Sequence, residues 1–340
     1  MKAIQLIKYG NSRESFKIAE LVKPEISADE VLIKTETFGL NFADVMARRG
    51  LYNDAPPLPC VLGYEVVGRI ARTGANVKDV KEGQKVVAFT RFGGYAEYAI
   101  TNSSGVTVIP EDMDNGVATA LSTQYCTAYH AAYDMANIKE GEIILIHAAA
   151  GGVGIALLQL AKRKGCKVIG TAGSEEKIQF LRNAGIDYAI NYREVDFEVE
   201  ILKLLGKEKP DVIFDPIGGK SFKKSKSLLN FGGRIVTYGA SDQLTRRKGF
   251  ISGLKLLFGF GFLHPVGLLM KSIGVLGVNM LRIADHKPEV LQRALENVVA
   301  MASKHEIEPF VGREYKAEDI AEAHEYLESR NSIGKIVLHW

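Results

Sequence analysis

The feature that most constrains this 340-residue chain is a single junction. An apolar strand over 143–147 runs into Ala149-Ala150-Gly151-Gly152-Val153-Gly154, which opens directly into the helical text IALLQLAKRKG. A buried strand, a glycine-rich turn and a helix in that order form the first half of a βαβ unit, whose turn can cradle a phosphate. The spacing alone is weak support, because a glycine-rich chain of this length shows G-x-x-G about three times by chance. Context gives it weight. After the helix, predicted over 152–164, come CKVIGTA, a helix over 175–183, DYAIN, a helix near 197–205, DVIFD, a helix near 221–229 and RIVTYG. Strands separated by single helices mean crossover connections and a parallel sheet covered on both faces.

The first third is patterned differently. KAIQLIKY, FKIAELV, EVLIKTETFGL, YEVVGRIARTG, QKVVAFT and YAEYAIT are strand-like runs punctuated by glycine and proline, which predicts an antiparallel, barrel-like domain. Beyond the parallel region lie a strand, IGVLGVNM, a helix over 288–302, a helix within EDIAEAHEYLESRN and a last strand, GKIVLHW, read as returning to the first domain. The expected organisation is a first domain over 1–122, completed by 283–340, and a nucleotide-binding domain over 123–282 with an apolar insertion at about 241–271. No internal repeat or low-complexity tether is visible.

Composition removes several function classes. With 43 Lys plus Arg against 40 Asp plus Glu, the net charge is +3, which is no electrostatic footprint for nucleic acid. A hydrophobic share of 46% excludes intrinsic disorder. Cys60, Cys126 and Cys166 are too few and too scattered for a disulfide framework or a cysteine-rich zinc module. Charged residues break up the N-terminal text, so no secretory signal is read, and a cytoplasmic location is expected.

The residue types of the loop suit an anion. Gly151 lets the backbone approach a pyrophosphate, Gly154 lets the helix pack close to the sheet, and the free N–H groups of Ala150, Gly151, Gly152 and Val153 with the helix dipole hold the charge. The alternative is a tight turn with no ligand. An NAD-binding strand would end in Asp or Glu, yet this one ends Thr171-Ala172-Gly173-Ser174. Ser174 is placed to cap the next helix and Lys177 to reach back to a 2′-phosphate, which favours NADPH. The bland alternative is a cap and a solvated helix face.

On Gly39-Leu40-Asn41-Phe42-Ala43-Asp44 with Arg49-Gly50-Leu51-Tyr52, on PCVLGYEVVG, Thr127-Ala128-Tyr129, the AAGGVG loop and terminal GKIVL, the whole chain resembles the medium-chain dehydrogenase/reductase superfamily. It looks most like the zinc-independent quinone oxidoreductase group and the vesicle amine transport protein branch within it. The resemblance implies an α/β fold, with an N-terminal GroES-like β-barrel domain and a Rossmann doubly wound parallel-sheet domain. It further implies Asn41 and Thr127 near the nicotinamide and Tyr192 near the 2′-phosphate. Tyr238, Gly239, Ala240, Val278 and Asn279 would follow the nicotinamide half, with Asn331 and Lys335 completing that wall. Zinc-dependent relatives need a Cys in the early loop and a Gly-His-Glu, whereas this chain has no Cys near Asn41 and reads Gly63-Tyr64-Glu65; no metal is expected. For Tyr192 a surface aromatic is the other reading.

The expected reaction is zinc-independent hydride transfer from NADPH to a quinone or α,β-unsaturated carbonyl, that is, NADPH:quinone oxidoreductase or enone reductase chemistry. Asn41, Tyr52 and Tyr64 are the catalytic candidates, the tyrosines as proton donors; each tyrosine could instead be a core aromatic. Asp44 reads as a structural hydrogen-bond partner, Asp215 as a turn cap, and His130 and His147 as packed or hydrogen-bonded histidines. The strand IGVLGVNM resembles the family's pairing edge, so a homodimer is expected. The rival function is an NADPH-binding protein whose insertion, with Arg246-Arg247-Lys248 beside LLFGFGFLHPVGLLM, makes a peripheral lipid or partner contact; a lid or subunit contact is the other reading of that segment.

Overall fold

The β-branched and apolar runs of the first third form strands because they can bury their side chains in one core. A computed structural model describes residues 1–241 and 263–340, which divide into two units, Met1–Cys126 with Met280–Trp340, and Thr127–Asn279. The first unit begins with β1 (Lys2–Leu6), β2 (Phe16–Glu20), β3 (Glu30–Leu40), β4 (Cys60–Val61), β5 (Glu65–Thr73), β6 (Lys85–Phe89), β7 (Tyr98–Asn102) and β8 (Val106–Val108). A small antiparallel sheet runs β2-β1-β4, while β3 is the spine of a larger one, pairing with β5 along its length and with β7 over its first half. Ile4, Leu6, Ile33, Phe38, Leu62, Val66 and Tyr95 share its core.

The second unit carries β9 (Ile143–Ile146), β10 (Lys167–Ala172), β11 (Tyr188–Asn191), β12 (Val212–Asp215), β13 (Arg234–Thr237) and β14 (Gly274–Gly277) in the order β11-β10-β9-β12-β13-β14. All five pairings are parallel. The central strands read as unbroken apolar runs, IILI and VIF, because both faces are covered. Helices Gly152–Arg163, Glu175–Asn183 and Gly219–Leu228 lie among the connections. Since the strands are parallel, their carboxyl ends share one edge, where ligands of such sheets bind.

The chain returns to the first unit through β15 (Val311–Lys316) and β16 (Lys335–His339). β16 runs antiparallel to the second half of β3, with Val337 opposite Gly39. The fold class is the expected one: an antiparallel barrel-like unit and a doubly wound parallel-sheet unit. The units meet in sequence at Cys126/Thr127 and Asn279/Met280, a few residues from the expected 122/123 and 282/283. No composition break marks the first boundary, because helical turns follow one another from Asn115 to Met135.

One strand is shorter than its text. IGVLGVNM keeps strand geometry only over Gly274–Gly277, and Met280–His286 is helical. Of the insertion expected at about 241–271, residues 242–262, with Arg246-Arg247-Lys248 and most of the apolar run, lie outside the described residues. Its end forms the helix Pro265–Lys271, capped by His264, with Val266, Leu269 and Met270 exposed. Among the described residues no helix is long and apolar enough to cross a membrane.

Candidate active site

In the parallel-sheet unit, β9 delivers the chain to His147, whose N–H donates to Phe214 O, and then to Ala148, which turns the backbone with a φ of 51°. Ala149 N donates to Thr171 O and Gly151 N to Ala148 O, so the loop is tied to its neighbouring strand before the helix starts. A β-carbon on Gly154 would lie 2.6 Å from Ala149 O, so the protein itself demands glycine there. At Gly151 the nearest atom to such a carbon is Ala148 O at 3.3 Å, a tight contact that a shift of a few tenths of an ångström would relieve; a stricter need for glycine would come from whatever approaches from outside.

Gly151 is the N-cap of Gly152–Arg163, and no side chain caps this helix. Its first-turn N–H groups therefore have no intrahelical partner and present positive dipole ends. The helices at Glu175–Asn183 and Phe197–Leu205 are capped by Ser174 and Asp196. The cradle of Ala150, Gly151, Gly152, Val153 and Gly154 thus fits a diphosphate.

Next along the same edge, β10 ends at Ala172, and Gly173 and Ser174 follow. Ser174 Oγ accepts from Lys177 N at 3.4 Å. The hydroxyl of Tyr192 lies against Gly173, and Tyr192 N donates to Ala172 O. Burial lowers the Lys177 pKa, with the positive charge of Arg193 acting in the same direction and Glu176 opposing them. Ser174, Lys177 and Tyr192 are therefore brought together as expected, and Arg193 joins them. Arg193, directly after Tyr192 in the sequence, is a basic residue that the pattern reading does not single out.

At the β12 and β13 ends, Asp215 Oδ1 accepts from Ile217 N at 2.7 Å and Gly218 N at 3.1 Å. It is a turn cap, as read. Tyr238 N donates to Asp215 O, and burial with the Asp215 charge pushes the Tyr238 phenol up. Gly239 and Ala240 follow, Thr237 Oγ1 donating to Gly239 O at 3.3 Å. Val278 N donates to Thr237 O, which sets Val278 and Asn279 just beyond β14 on that edge. Thr127 lies on the short helix Cys126–Tyr129 and is buried. His147 is a buried hub, 3.0 Å from Thr171 Oγ1 and 2.8 Å from Ser225 Oγ, and burial lowers its pKa. His130 is held 2.8 Å from Asp134 one turn along.

The barrel-like unit holds a second polar group. Asn41 is the N-cap of Phe42–Arg48, and its backbone N–H donates to Asp44 Oδ2 at 2.9 Å. Gly63 N donates to Asp44 Oδ1 at 3.2 Å. Burial holds the Asp44 carboxyl up at about 7 despite these donors, and the Glu65 charge adds to the effect. Asn41 Nδ2 donates to Glu65 Oε1 at 2.6 Å, and Lys335 Nζ donates to Asn41 Oδ1 at 3.1 Å and forms an ion pair with Glu65. The side chain of Lys335, a residue expected in the nicotinamide wall, is wholly buried. Asn331 is exposed in the loop before β16.

Tyr52 and Tyr64 meet edge to face with ring centres 6.3 Å apart. Tyr64 also packs on Phe92 at 5.2 Å, and its buried hydroxyl has no hydrogen-bond partner of ordinary geometry. Burial pushes its phenol far up, whereas Tyr52 is half-buried and raised less, by burial and then by Asp54. Asp54 is paired with Arg282. The three cysteines are buried, and among the described residues no three His, Cys, Asp or Glu gather as metal ligands.

Comparison with known proteins adds two family matches and a set of relatives. Residues 152–298 match the model described as zinc-binding dehydrogenase and residues 27–111 that of the alcohol dehydrogenase GroES-like domain. The synaptic vesicle membrane protein VAT-1 homolog of Danio rerio is 32% identical over 99% of this chain and 69% of its own length. Quinone oxidoreductase of Homo sapiens is 32% identical over 99% of this chain and 97% of its own. The crystal structure of Escherichia coli quinone oxidoreductase complexed with NADPH superposes with a TM-score of 0.87 at 28% identity, covering 100% of both chains.

Proposed function

The chain belongs to the zinc-independent quinone oxidoreductase group of the medium-chain dehydrogenase/reductase superfamily, close to VAT-1, and from this we propose that it is an NADPH-dependent reductase of quinones or α,β-unsaturated carbonyls. The observation that carries the cofactor choice is the acid-free end of β10, where Ser174, Lys177, Tyr192 and Arg193 gather beside Gly173. Two cations and two hydroxyls suit a 2′-phosphate, whereas a carboxylate there would suit ribose hydroxyls.

The residues divide the work. First-turn N–H groups after Gly151 hold the diphosphate, and Tyr238, Gly239, Ala240, Val278 and Asn279 follow the nicotinamide half. Asn41 and Thr127 contact the nicotinamide. NADPH, when bound, supplies a hydride to the electron-poor acceptor. The acceptor then needs one proton; a hydroquinone anion is a weak base, stable enough to persist until solvent protonates it, so the quinone case needs no positioned donor. An enone needs a positioned donor, and half-buried Tyr52 suits that role better than Tyr64, whose ionisation burial opposes strongly.

The test is NADPH oxidation by chelator-treated protein with 1,4-benzoquinone, beside NADH. Saturable turnover preferring NADPH, with the preference lost in Lys177→Ala, is the expected result. No turnover with quinone or enone acceptors, despite NADPH binding, would reject the enzyme reading. A second reading is favoured by the exposed Val266, Leu269 and Met270 on Pro265–Lys271: a lipid or partner contact through the insertion, tested by co-sedimentation with anionic liposomes at low salt. β14, at the end of its sheet, is the edge on which a homodimer would pair.

A further inference from the structure

An asparagine amide has two ends of nearly the same shape, so its orientation is set by its partners. In this chain the partners leave one choice. Lys335 is an ammonium, with donors only, and stands 3.1 Å from Asn41 Oδ1. Glu65 is a carboxylate acceptor and receives Asn41 Nδ2 at 2.6 Å. Reversing the amide would set an N–H2 group against the ammonium and a carbonyl against the carboxylate. The backbone of Asn41 is fixed separately by Asp44. The side chains of Glu65 and Lys335 are fully buried, whereas Asn41 keeps 8% of its surface exposed. An amide has two donor and two acceptor positions; Oδ1 also faces the Asp44 backbone N–H in a capping box, so one N–H is left after these contacts.

We propose that Glu65 and Lys335 are positioning residues, which fix the orientation in which Asn41 offers its remaining N–H to the reacting groups. The proposal rests on the reading above that Asn41 contacts the nicotinamide. A buried ion pair adds little net stability compared with apolar residues of the same size, so its presence calls for another role. This pair is not arranged for stability: Glu65 Oε2 is buried without a hydrogen-bond partner, a costly state. Backbone space is also given up to it, since a β-carbon on Gly39 would lie 2.6 Å from Lys335 Nζ.

The test compares wild type, Asn41→Ala, the double variant Glu65→Gln/Lys335→Met and the triple variant, using steady-state NADPH oxidation with 1,4-benzoquinone and thermal melting. The double variant leaves no uncompensated buried charge, so it is expected to fold. Its kcat should fall on the order of tenfold to a hundredfold, while KM for NADPH stays within about twofold. Adding Asn41→Ala to it should bring no further loss, because the effect runs through that amide. Full turnover by the double variant when Asn41→Ala is impaired overturns the positioning role, as does an additive loss in the triple variant. Full turnover by Asn41→Ala overturns instead the reading that Asn41 contacts the reacting groups. A merely structural pair would lower the melting temperature without this pattern in kcat.

Discussion

The hydroxyl of Tyr192 rests on Gly173, so close that a β-carbon at Gly173 would sit 2.6 Å from it. Two loops following adjacent parallel strands, β10 and β11, are thereby fitted to one another at the place where Ser174 and Lys177 begin the next helix. The contact requires a residue without a side chain on one loop and an aromatic on the other.

Gly173→Ala should therefore displace Tyr192 outward rather than unfold the sheet, since Tyr192 is 40% exposed and has room to move. The expected outcome is a KM for NADPH raised roughly tenfold, near the 1.4 kcal/mol of one lost polar contact, with kcat and KM for NADH little changed. Kinetics with both cofactors check it. An equal loss for NADH and NADPH would mean that Tyr192 does not serve the 2′-phosphate.

Gly39→Ala is a test of packing in the other unit. Its β-carbon would enter the space held by the Glu65 carboxylate and the Lys335 ammonium, both fully buried. Forcing a buried pair apart leaves charges unpaired, so the variant should lose about 3–5 kcal/mol of stability. Urea denaturation reads this directly. A loss below about 1 kcal/mol would show that β3 and β16 can separate enough to admit a methyl group.

The sequence carried much of this architecture and less of its interior. β3 spans the whole of EVLIKTETFGL, an apolar and β-branched run buried along most of its length between its neighbouring strands. The helix Glu175–Asn183 starts where Ser174 can cap it. By contrast, β4 and β8 are two and three residues long, too short to show a period. The helix at Met280–His286 begins on the last residue of IGVLGVNM and has seven residues, too few to show a helical period. In the site, the glycine loop, Ser174 and Lys177 follow from local spacing, and Tyr192 from the family resemblance. Lys335 is legible only in part: the resemblance implies a place in the nicotinamide wall, but its partner Glu65 is 270 positions away in the chain. Only the pairing of β16 with β3 reveals that it points inward.

Tyr52 and Tyr64 separate by burial. Tyr64→Phe removes a buried hydroxyl that has no hydrogen bond of ordinary geometry and lies beside the Tyr52 hydroxyl, so stability should change by less than about 1 kcal/mol. Tyr52→Phe should leave quinone turnover intact and lower kcat with an enone by about 10²-fold or more, because only the enone needs a positioned proton. Parallel assays with the two acceptors check both statements. Equal losses on both acceptors would remove Tyr52 as a proton donor and leave it a packing role.

Asp44 makes the dependence of stability on pH run against the usual direction for a carboxylate. In the fold its carboxyl is held at about 7 by burial, reinforced by Glu65 and opposed by the Asn41 and Gly63 N–H groups and by Lys335. Unfolded, it titrates near its ordinary value of about 3.9. Between those values the folded chain binds the proton and the unfolded chain does not, so this group's contribution falls as pH rises from about 4 to about 7 and is level above that, by up to about 4 kcal/mol. Asp44→Asn cannot accept from both Asn41 N and Gly63 N, so it should be less stable than wild type in acid by about 1–3 kcal/mol. It cannot titrate, and the difference should shrink or reverse near pH 8. Urea denaturation of both proteins at pH 5 and pH 8 measures the effect, and a constant difference between them across that range would show that Asp44 is already ionised at pH 5.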